Sequence, residues 1–513
     1  MFELPSGAEI QSIIATLKAS VGFFIPEIYL SLLFMILIVV DLVVKGRKST
    51  LLSVFSLVGL AGSLYFIYQQ HAMQAGEFFF GMYVLDGFAI FFKYFFVLSG
   101  MLAVVITMAD EQFEREISSM GEYYALVVAM VVGMMMMASS SDLLMIFLSM
   151  ELVSFTAFIL AGYFKSNMRS SEAALKYLIY GAVSSGLMIY GFSLIYGVTA
   201  QTNLIAISRE LALHGADSFV MLFAALLVLA GFGYKIGAVP FHFWAPDVYE
   251  GSPTPVTAYL SVASKAAGFA LLMRFVYVAL PHTNNVQAAT LGIDWFTLLV
   301  ILAVASMIYG NVVALWQKNV KRLLAYSSIA HAGYALLGVI VMDKLGTQAT
   351  LFYLLSYLLM NFGAFFVVVL IANRTGSESL DDYRGLGKSM PLAGAALTVF
   401  LISLVGLPPT IGFIGKLMVF SALIAKGSIF MWLALIGILT SVISLYYYML
   451  IPLNMYLREP VQHASSNTGT QPRLVAQLFM GALMLLTIYF GLFFAPLSDF
   501  ARYSASIFGL QLQ

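Results

Sequence analysis

The sequence predicts an all-α polytopic membrane protein, a bundle of about 14 transmembrane helices, and three observations carry that reading. Hydrophobic residues make up 61% of the 513 and charged residues only 10%, with a mean hydropathy of +0.94, a balance outside the range of soluble domains. Apolar runs of about 20 residues recur along the whole chain, each long enough to cross roughly 30 Å of hydrocarbon as a helix. Basic residues sort by loop, as they do when consecutive spans alternate in direction. Zero net charge leaves no basic surface for nucleic acid. The lack of any cysteine removes disulfides, thiolate metal sites and iron–sulfur ligation together. No basic stretch and cleavage site precede the first apolar segment, so it is read as a retained span.

Breaking the chain at charged and Gly/Pro/Asn clusters places spans near 22–44, 50–69, 84–108, 122–139, 142–163, 171–198, 218–238, 254–280, 294–316, 322–342, 349–372, 391–424, 429–457 and 473–497. Span 12 is too long for one straight crossing and contains "VGLPPTIGFIGK", which should split it into two half-helices. Span 7 ends in "GYKIGAVPFHFWAP", a second Gly/Pro break. Each break sits beside a lysine, Lys235 in the first and Lys416 in the second. The two lie five spans apart, an odd offset that makes the copies run in opposite directions, as inverted repeats do. The predicted organisation is a three-helix N-terminal segment (1–121), a first five-helix repeat of helices 4–8 (122–280), a second of helices 9–13 (281–457), and helix 14 with a tail (458–513).

Orientation follows from the charges. With the loop of Lys45, Arg47 and Lys48 inside, the same side also takes Arg115, Lys165, Arg169, Lys318, Lys321, Arg322, Arg374, Arg384, Lys388, Arg458 and Arg473, about 14 basic residues against about 5 on the other side. Both termini are then outside the cytoplasm.

Six basic residues remain inside spans: Lys93, Lys176, Lys235, Lys265, Arg274 and Lys416. Each costs at least about 2.5–3.5 kcal/mol at a helix centre, so an intramembrane charge implies a polar interior path and a partner. Glu151, in "DLLMIFLSMELVSFTAFIL", is the carboxylate best placed inside a span. Burial favours a neutral lysine while a nearby glutamate favours the charged one, so a Glu–Lys pair that opens and closes can switch a proton. The residues alone reach a helical ion-translocating protein whose ion is unspecified.

The stretches "GEYYALVVAMVVGMMMMASSSDLLMIFLSMELVSFTAFILAGY", "SSEAALKYLIYGAVSSGLMIYG", "GYKIGAVPFHFWAPDVYEGSPTPVTAYLSVASKAAGFAL", "NVKRLLAYSSIAHAGYALLG" and "LDDYRGLGKSMPLAGAALTVFLISLVGLPPTIGFIGKL" resemble the antiporter-like membrane subunits of respiratory complex I (NADH-quinone oxidoreductase). Within that family they look like the subunit N class, over roughly residues 20–500. The resemblance implies a switching ion pair of Glu151 and Lys235, with Lys176 as a further lysine near it. It implies that Lys265 passes protons toward the centre, that His331 bridges two half-channels with Tyr326, Ser327 and Ser328 holding water, and that Lys416 connects toward the outside or toward the next subunit. It further implies membrane partners of the K, M, L and J types and a bacterial inner-membrane location. No cofactor is expected in this chain; NADH, FMN, iron–sulfur clusters and quinone are expected in other subunits.

Rival readings stand beside these. The Glu151–Lys235 pair could be a structural ion pair, Lys265 and Lys416 could simply satisfy carbonyls at helix breaks, and His331 could hydrogen-bond across an interface. Lys176 could snorkel. His242 is read as satisfying backbone at the break, Lys93 and Arg274 as interface or snorkelling residues, and Asp41 as a contact to a neighbouring subunit. At the level of the whole protein the rivals are a subunit of a multi-subunit cation/proton antiporter, a subunit of a ferredoxin-driven complex I relative, and a passive membrane spacer.

Overall fold

The computed structural model describes residues 6–43, 49–117, 120–280, 295–460 and 474–507; Lys45, Arg47, Lys48 and Arg473, used above for orientation, lie outside the described residues. The chain crosses back and forth as α1 (Gly7–Val43), α2 (Ser49–Gln70), α3 (Gly87–Ala109), α4 (Gly121–Ser139), α5 (Leu143–Ala161), α6 (Met168–Thr199) and α7 (Ser218–Ile236). It continues through α8 (Thr254–Ala279), α9 (Trp295–Ala314), α10 (Val320–Ile340), α11 (Lys344–Thr375), the split α12a (Pro391–Val405) and α12b (Ile411–Lys426), α13 (Ser428–Leu457) and α14 (Leu474–Leu492). Among the described residues thirteen helices are long and apolar enough to span a bilayer, and the two halves of α12 supply one more crossing. The expected series of spans is thus met.

Polar residues set the ends of these helices. Asp86, Asp142, Asn167, Asp217, Asn319 and Asp343 each accept a backbone N–H in the first turn, covering donors that the helix itself cannot. The alternation gives the bundle two faces. One carries Arg115, Lys165, Arg169, Lys318, Lys321, Arg374, Arg384 and Lys388 and is stitched by Glu111 N to Asn373 Oδ1 and by an Asn319–Ser379 bridge; it is called the basic face below. The opposite face holds an antiparallel hairpin, β1 (Gly76–Phe78) and β2 (Tyr83–Leu85), and is called the hairpin face.

Burial sorts the helices into shells. Every residue in the apolar windows of α8 and α10 is buried, and nearly every one in α11, whereas α1, α6 and α14 bury a third of theirs or fewer. The inner helices therefore carry the interior path, and the outer ones face lipid or partners. Close packing uses small residues, as membrane interfaces do. A Cβ on Gly310 of α9 would lie 2.6 Å from Ala330 N, and one on Gly333 of α10 would lie 2.8 Å from Ala303 O, so the two helices meet backbone to backbone.

Both expected breaks are present. α7 ends at Gly237, in the left-handed region at φ +68°, and after a turn through Pro240 a short helix, Trp244–Gly251, leads to α8. α12a ends at Gly406, φ +88°, and Pro408–Pro409 separate it from α12b. α7 runs toward the basic face and α12 away from it, the opposite sense expected of an inverted pair. One irregularity has no counterpart in the sequence reading: α8 contains a π turn over Leu260–Ser264, immediately before Lys265, a distortion that frequently marks functional positions.

Candidate functional site

Lys235 is the penultimate residue of α7, held where the helix stops. It is buried, and its Nζ donates to Ser154 Oγ at 3.2 Å. Ser154 lies one turn beyond Glu151 on α5, on the same side of that helix. Glu151 accepts from Ser185 Oγ of α6. No Glu151–Lys235 ion pair within 4.0 Å occurs among the described residues, although the carboxylate is near enough to act on the lysine through its charge. The two expected residues stand apart in this structure, Lys235 against Ser154 and Glu151 against Ser185.

Lys235 and Lys265 cross closely. A Cβ on Gly268, one turn after Lys265, would lie 3.2 Å from Lys235 Cγ, and a Cβ on Gly237 would lie 3.2 Å from Lys265 Nζ. Glycine is required at both positions for the lysine-bearing helices to pass. Lys265 Nζ donates to Ser328 O at 3.0 Å and to Ser328 Oγ on α10, and stands 5.8 Å from the centre of the Tyr249 ring.

α10 carries the path onward. Ser327 Oγ pairs with Tyr448 OH, Tyr448 OH lies 3.2 Å from His331 Nε2, and His331 Nδ1 lies 2.6 Å from Tyr353 OH. Both imidazole nitrogens are thus engaged by phenols, an arrangement that allows either tautomer. One turn further, the Tyr334 ring lies 4.4 Å below Lys416 Nζ. That ammonium donates to Val405 O at 2.7 Å and to Ser441 Oγ. Val405 would normally bond the amide four residues on, but residue 409 is proline and has no N–H, so the break itself creates the lysine's acceptor.

The result is one polar line through the middle of the bundle: Lys235, Lys265, Ser328, His331, Tyr334, Lys416. Along it the hydroxyls of Tyr177, Tyr249, Ser264 and Tyr357 are buried without a hydrogen-bond partner among the described residues, and Tyr249 and Tyr357 stand near Ser328. Buried polar atoms of this kind are places for bridging water.

On the basic face a cavity of ≈ 910 Å³ opens among Asp110, Arg115, Glu250, Lys321, Arg374 and Glu378. Lys321 Nζ ties its wall together, 3.0 Å from Glu378 Oε1 and 2.7 Å from Ser252 O. Burial pushes the Asp110 carboxyl up to about 6. From Ser252 a hydroxyl contact of 2.8 Å leads to Thr257, which donates to Tyr249 O at 3.0 Å, so polar groups continue from the cavity toward Lys265.

Three expectations are corrected. Lys176 does not sit by the pair: it is part exposed near the basic face, bonded to Asp247 at 2.6 Å and Glu172 at 2.8 Å, and is nine residues, about 13.5 Å along α6, from Ser185. It belongs to a surface network in which Arg322 bonds Asp247 at 2.7 Å and Glu250 at 2.9 Å. Partial burial of Asp247 works against ionisation, but Lys176 and Arg322 outweigh it and hold the carboxyl below its usual range. Lys93 and Arg274 neither snorkel nor face an interface: both are fully buried, against Glu27 at 2.8 Å and Asp86 at 2.9 Å respectively. Tyr326 stands beside Arg322, away from the His331 contacts. His242 packs 4.5 Å from the rings of Phe243 and Tyr309, and its Nδ1 has no partner. Sequence reasoning missed Ser154, Ser185, Tyr353, Tyr448 and Ser441. Only Ser154 carried a local signal, its spacing of three from Glu151; the others arrive from distant helices.

The family model described as "NADH:quinone oxidoreductase/Mrp antiporter, TM" matches residues 140–444. The chain is 59% identical to NADH-quinone oxidoreductase subunit N 2 of Chloroherpeton thalassium, over 99% of each chain. It is 41% identical to NAD(P)H-quinone oxidoreductase subunit 2 of a Synechococcus strain, over 92% of this chain and 89% of the relative. Its fold superposes on a chain of respiratory complex I from Thermus thermophilus with TM-score 0.75 at 31% identity, covering 92% of this chain and 98% of that one. It also superposes on a chain of the Mrp complex of a Dietzia strain with TM-score 0.76 at 20% identity, covering 94% and 96%, a likeness of fold alone.

Proposed function

The chain belongs to the NADH:quinone oxidoreductase/Mrp antiporter membrane-subunit family, and from that premise we propose that it moves protons along the Lys235–Lys265–His331–Lys416 line under control of Glu151. It is the antiporter-like, proton-translocating membrane subunit of NADH-quinone oxidoreductase, as its relatives of the subunit N type are named. The observation that carries the residue assignment is the succession of buried lysines, hydroxyls and one histidine through helices that are otherwise apolar.

The residues divide the work as their contacts suggest. With Glu151 held by Ser185, the partner of Lys235 among the described residues is a neutral hydroxyl, the condition that favours losing its proton in a buried site. Closing onto Glu151 restores the condition for holding one. Lys265, through Ser328, takes the proton to α10. His331, between Tyr353 and Tyr448, relays it by accepting at one nitrogen and donating at the other. Lys416, on the far side of the second break, hands it on toward Ser441 and the bundle surface. The cavity on the basic face supplies protons, with Asp110 and Glu378 at its wall. The basic face is the cytoplasmic one and both termini lie on the periplasmic side of a bacterial inner membrane, by the positive-inside rule.

Electrons travel elsewhere on this reading. NADH, FMN, iron–sulfur clusters and quinone belong to partner subunits of the complex, and the neighbours in the membrane are of the K, M, L and J types. Charge movement in the quinone-reducing module opens or closes the Glu151–Lys235 pair. A ferredoxin-driven relative would use the same line; the names of the relatives at 59% and 42% identity, both NADH-quinone oxidoreductase subunits, favour NADH. The test is the complex carrying Lys265→Ala, reconstituted in vesicles. Quinone reduction with lowered proton uptake per electron supports the assignment, and unchanged uptake contradicts it.

A further inference from the structure

Outside the Lys235–Lys416 line, the N-terminal three-helix segment holds a second glutamate–lysine pair, Glu27 on α1 and Lys93 on α3. Both side chains are wholly buried. Lys93 Nζ has a full set of acceptors: Glu27 Oε1 at 2.8 Å, Gln70 Oε1 at 2.9 Å and Tyr83 OH at 2.5 Å. Tyr83 OH in turn lies 3.0 Å from Glu27 Oε1. The other carboxylate oxygen, Glu27 Oε2, is buried and has no partner among the described residues, and neither has the nearby Ser139 Oγ, which shares Tyr83 OH as a neighbour.

A neighbouring pair shows what a purely structural ion pair looks like in the same interior. Asp86 and Arg274 meet through two bonds of 2.9 and 3.0 Å, Arg274 Nε donates to Ala138 O at 2.9 Å, and Asp86 Oδ1 also caps α3 at Ala89 N. Every charged atom there is used. A buried anion with an unfilled oxygen is costly by comparison, and an intramembrane ionisable pair is a functional hypothesis by default. The open oxygen is where a proton, or a water carrying one, fits.

We infer that Glu27 and Lys93 form a second proton-relaying pair, set beneath the hairpin and separate from the main line. A proton arriving at Glu27 Oε2 converts the carboxylate to the acid, and one leaving Lys93 Nζ converts the ammonium to the amine, so one proton passes with no net change of charge. Transfer from the acid to the amine through Tyr83 OH restores the starting pair. The location suits this use. The site lies beneath the hairpin at the hairpin face, where α1 tightens into a short 3-10 turn at Gly22–Phe24, Phe79 N donates to Ser20 Oγ at 3.2 Å and Phe23 stacks on Phe78. The structural pair Asp86–Arg274 stands between it and the main line. Asp86 acts electrostatically on Lys93, and its partner Arg274 lies on α8 nine residues from Lys265, about 13.5 Å along the helix.

The inference rests on the proton-translocating function proposed above, not on which residues of the main line carry it. The test uses the assembled complex in vesicles, with Glu27→Gln, Lys93→Met and the double variant assayed for quinone reduction and proton uptake per electron, beside Lys235→Ala. The expected result is a double variant that assembles and reduces quinone but has lost part of its proton uptake per electron. Full uptake in the neutral double variant would overturn the relay and leave a structural ion pair. Should the double variant fail to assemble, Tyr83→Phe keeps both charges and removes the bridging hydroxyl: lowered uptake supports the relay, and unchanged uptake overturns it. Normal uptake in Lys235→Ala with lowered uptake in the Glu27–Lys93 variants would reject the main line while the pair stands.

Discussion

Lys235 Nζ donates to Ser154 Oγ at 3.2 Å, one helical turn from the carboxylate it would pair with, while Glu151 is turned to Ser185 on another helix. The two serines hold the members of the proposed switch apart. Replacing Ser154 by alanine removes a hydrogen bond to a charged group, about 1.5–3 kcal/mol of support for the open state. The Ser154→Ala complex is therefore expected to keep quinone reduction and lose much of its proton uptake, because the pair stays closed. Uptake measured with a pH dye in vesicles checks this; an unaltered ratio of protons to electrons would count against it.

Gly237 sits where Lys265 Nζ presses on the backbone at the end of α7. Gly237→Ala places a Cβ 3.2 Å from that nitrogen at φ +68°, and the left-handed conformation alone costs an alanine roughly 1–2 kcal/mol. The variant is expected to displace Lys265 from Ser328 and to lower proton uptake more than it lowers assembly, read from complex yield and uptake together.

Lys416 is held by an acceptor that proline creates, in a space closed by Gly406, where a Cβ would lie 2.8 Å from Lys416 Cδ. Lys416→Met is expected to assemble, because Ser441 still donates to Val405 O at 3.1 Å, and to lose proton translocation. Lys416→Arg should not rescue it, since a planar guanidinium is not a substitute for a compact ammonium in so tight a site. Recovery with arginine would show that charge alone suffices.

Asp110 gives a prediction in pH. Burial raises its carboxyl to about 6, with Lys321 and the amides of Gln112 and Phe113 opposing and Glu378 assisting. A carboxyl raised on folding favours the folded state at low pH, and that contribution is lost as pH rises through about 6. Asp110→Asn is then expected to be relatively more stable than the parent at pH 8 than at pH 5, and to lose any step near pH 6 in the rate of proton uptake. Parallel thermal scans at the two values decide the first point. Equal shifts at both would contradict it.

Arg274→Met leaves Asp86 as an uncompensated buried charge, which costs about 3–5 kcal/mol, and is expected to prevent stable assembly. Asp86→Leu with Arg274→Met should recover most of the loss. Thermal stability of the purified complex separates this structural pair from Glu27–Lys93, whose neutral double variant is expected to fail in uptake instead.

Much of this fold was legible because a bilayer enforces it. Spans of about 20 apolar residues, the Pro408–Pro409 break and the glycine before Pro240 each carry a local physical signal, and they fall where the sequence places them. Lys235, Lys265 and Lys416 were visible as charge where hydrocarbon was expected, and His331 entered only through the resemblance. Their partners were not, because Ser185, Tyr353, Tyr448 and Ser441 reach the line from helices remote in sequence, and hydroxyls in apolar helices carry no distinguishing pattern. Lys176 was misplaced toward the pair because a resemblance assigns position in a motif, not depth in the membrane. Lys93 and Arg274 were underrated for the converse reason: their carboxylates, Glu27 and Asp86, stand at span ends, where sequence alone assigns them to the surface.

The central claim, that protons pass by way of Lys235, is tested most directly by reconstituting the complex with Lys235→Ala in vesicles and measuring NADH–quinone activity and proton uptake in the same preparation. Continued quinone reduction with markedly fewer protons moved per electron is the expected result. A ratio equal to that of the unaltered complex would contradict it.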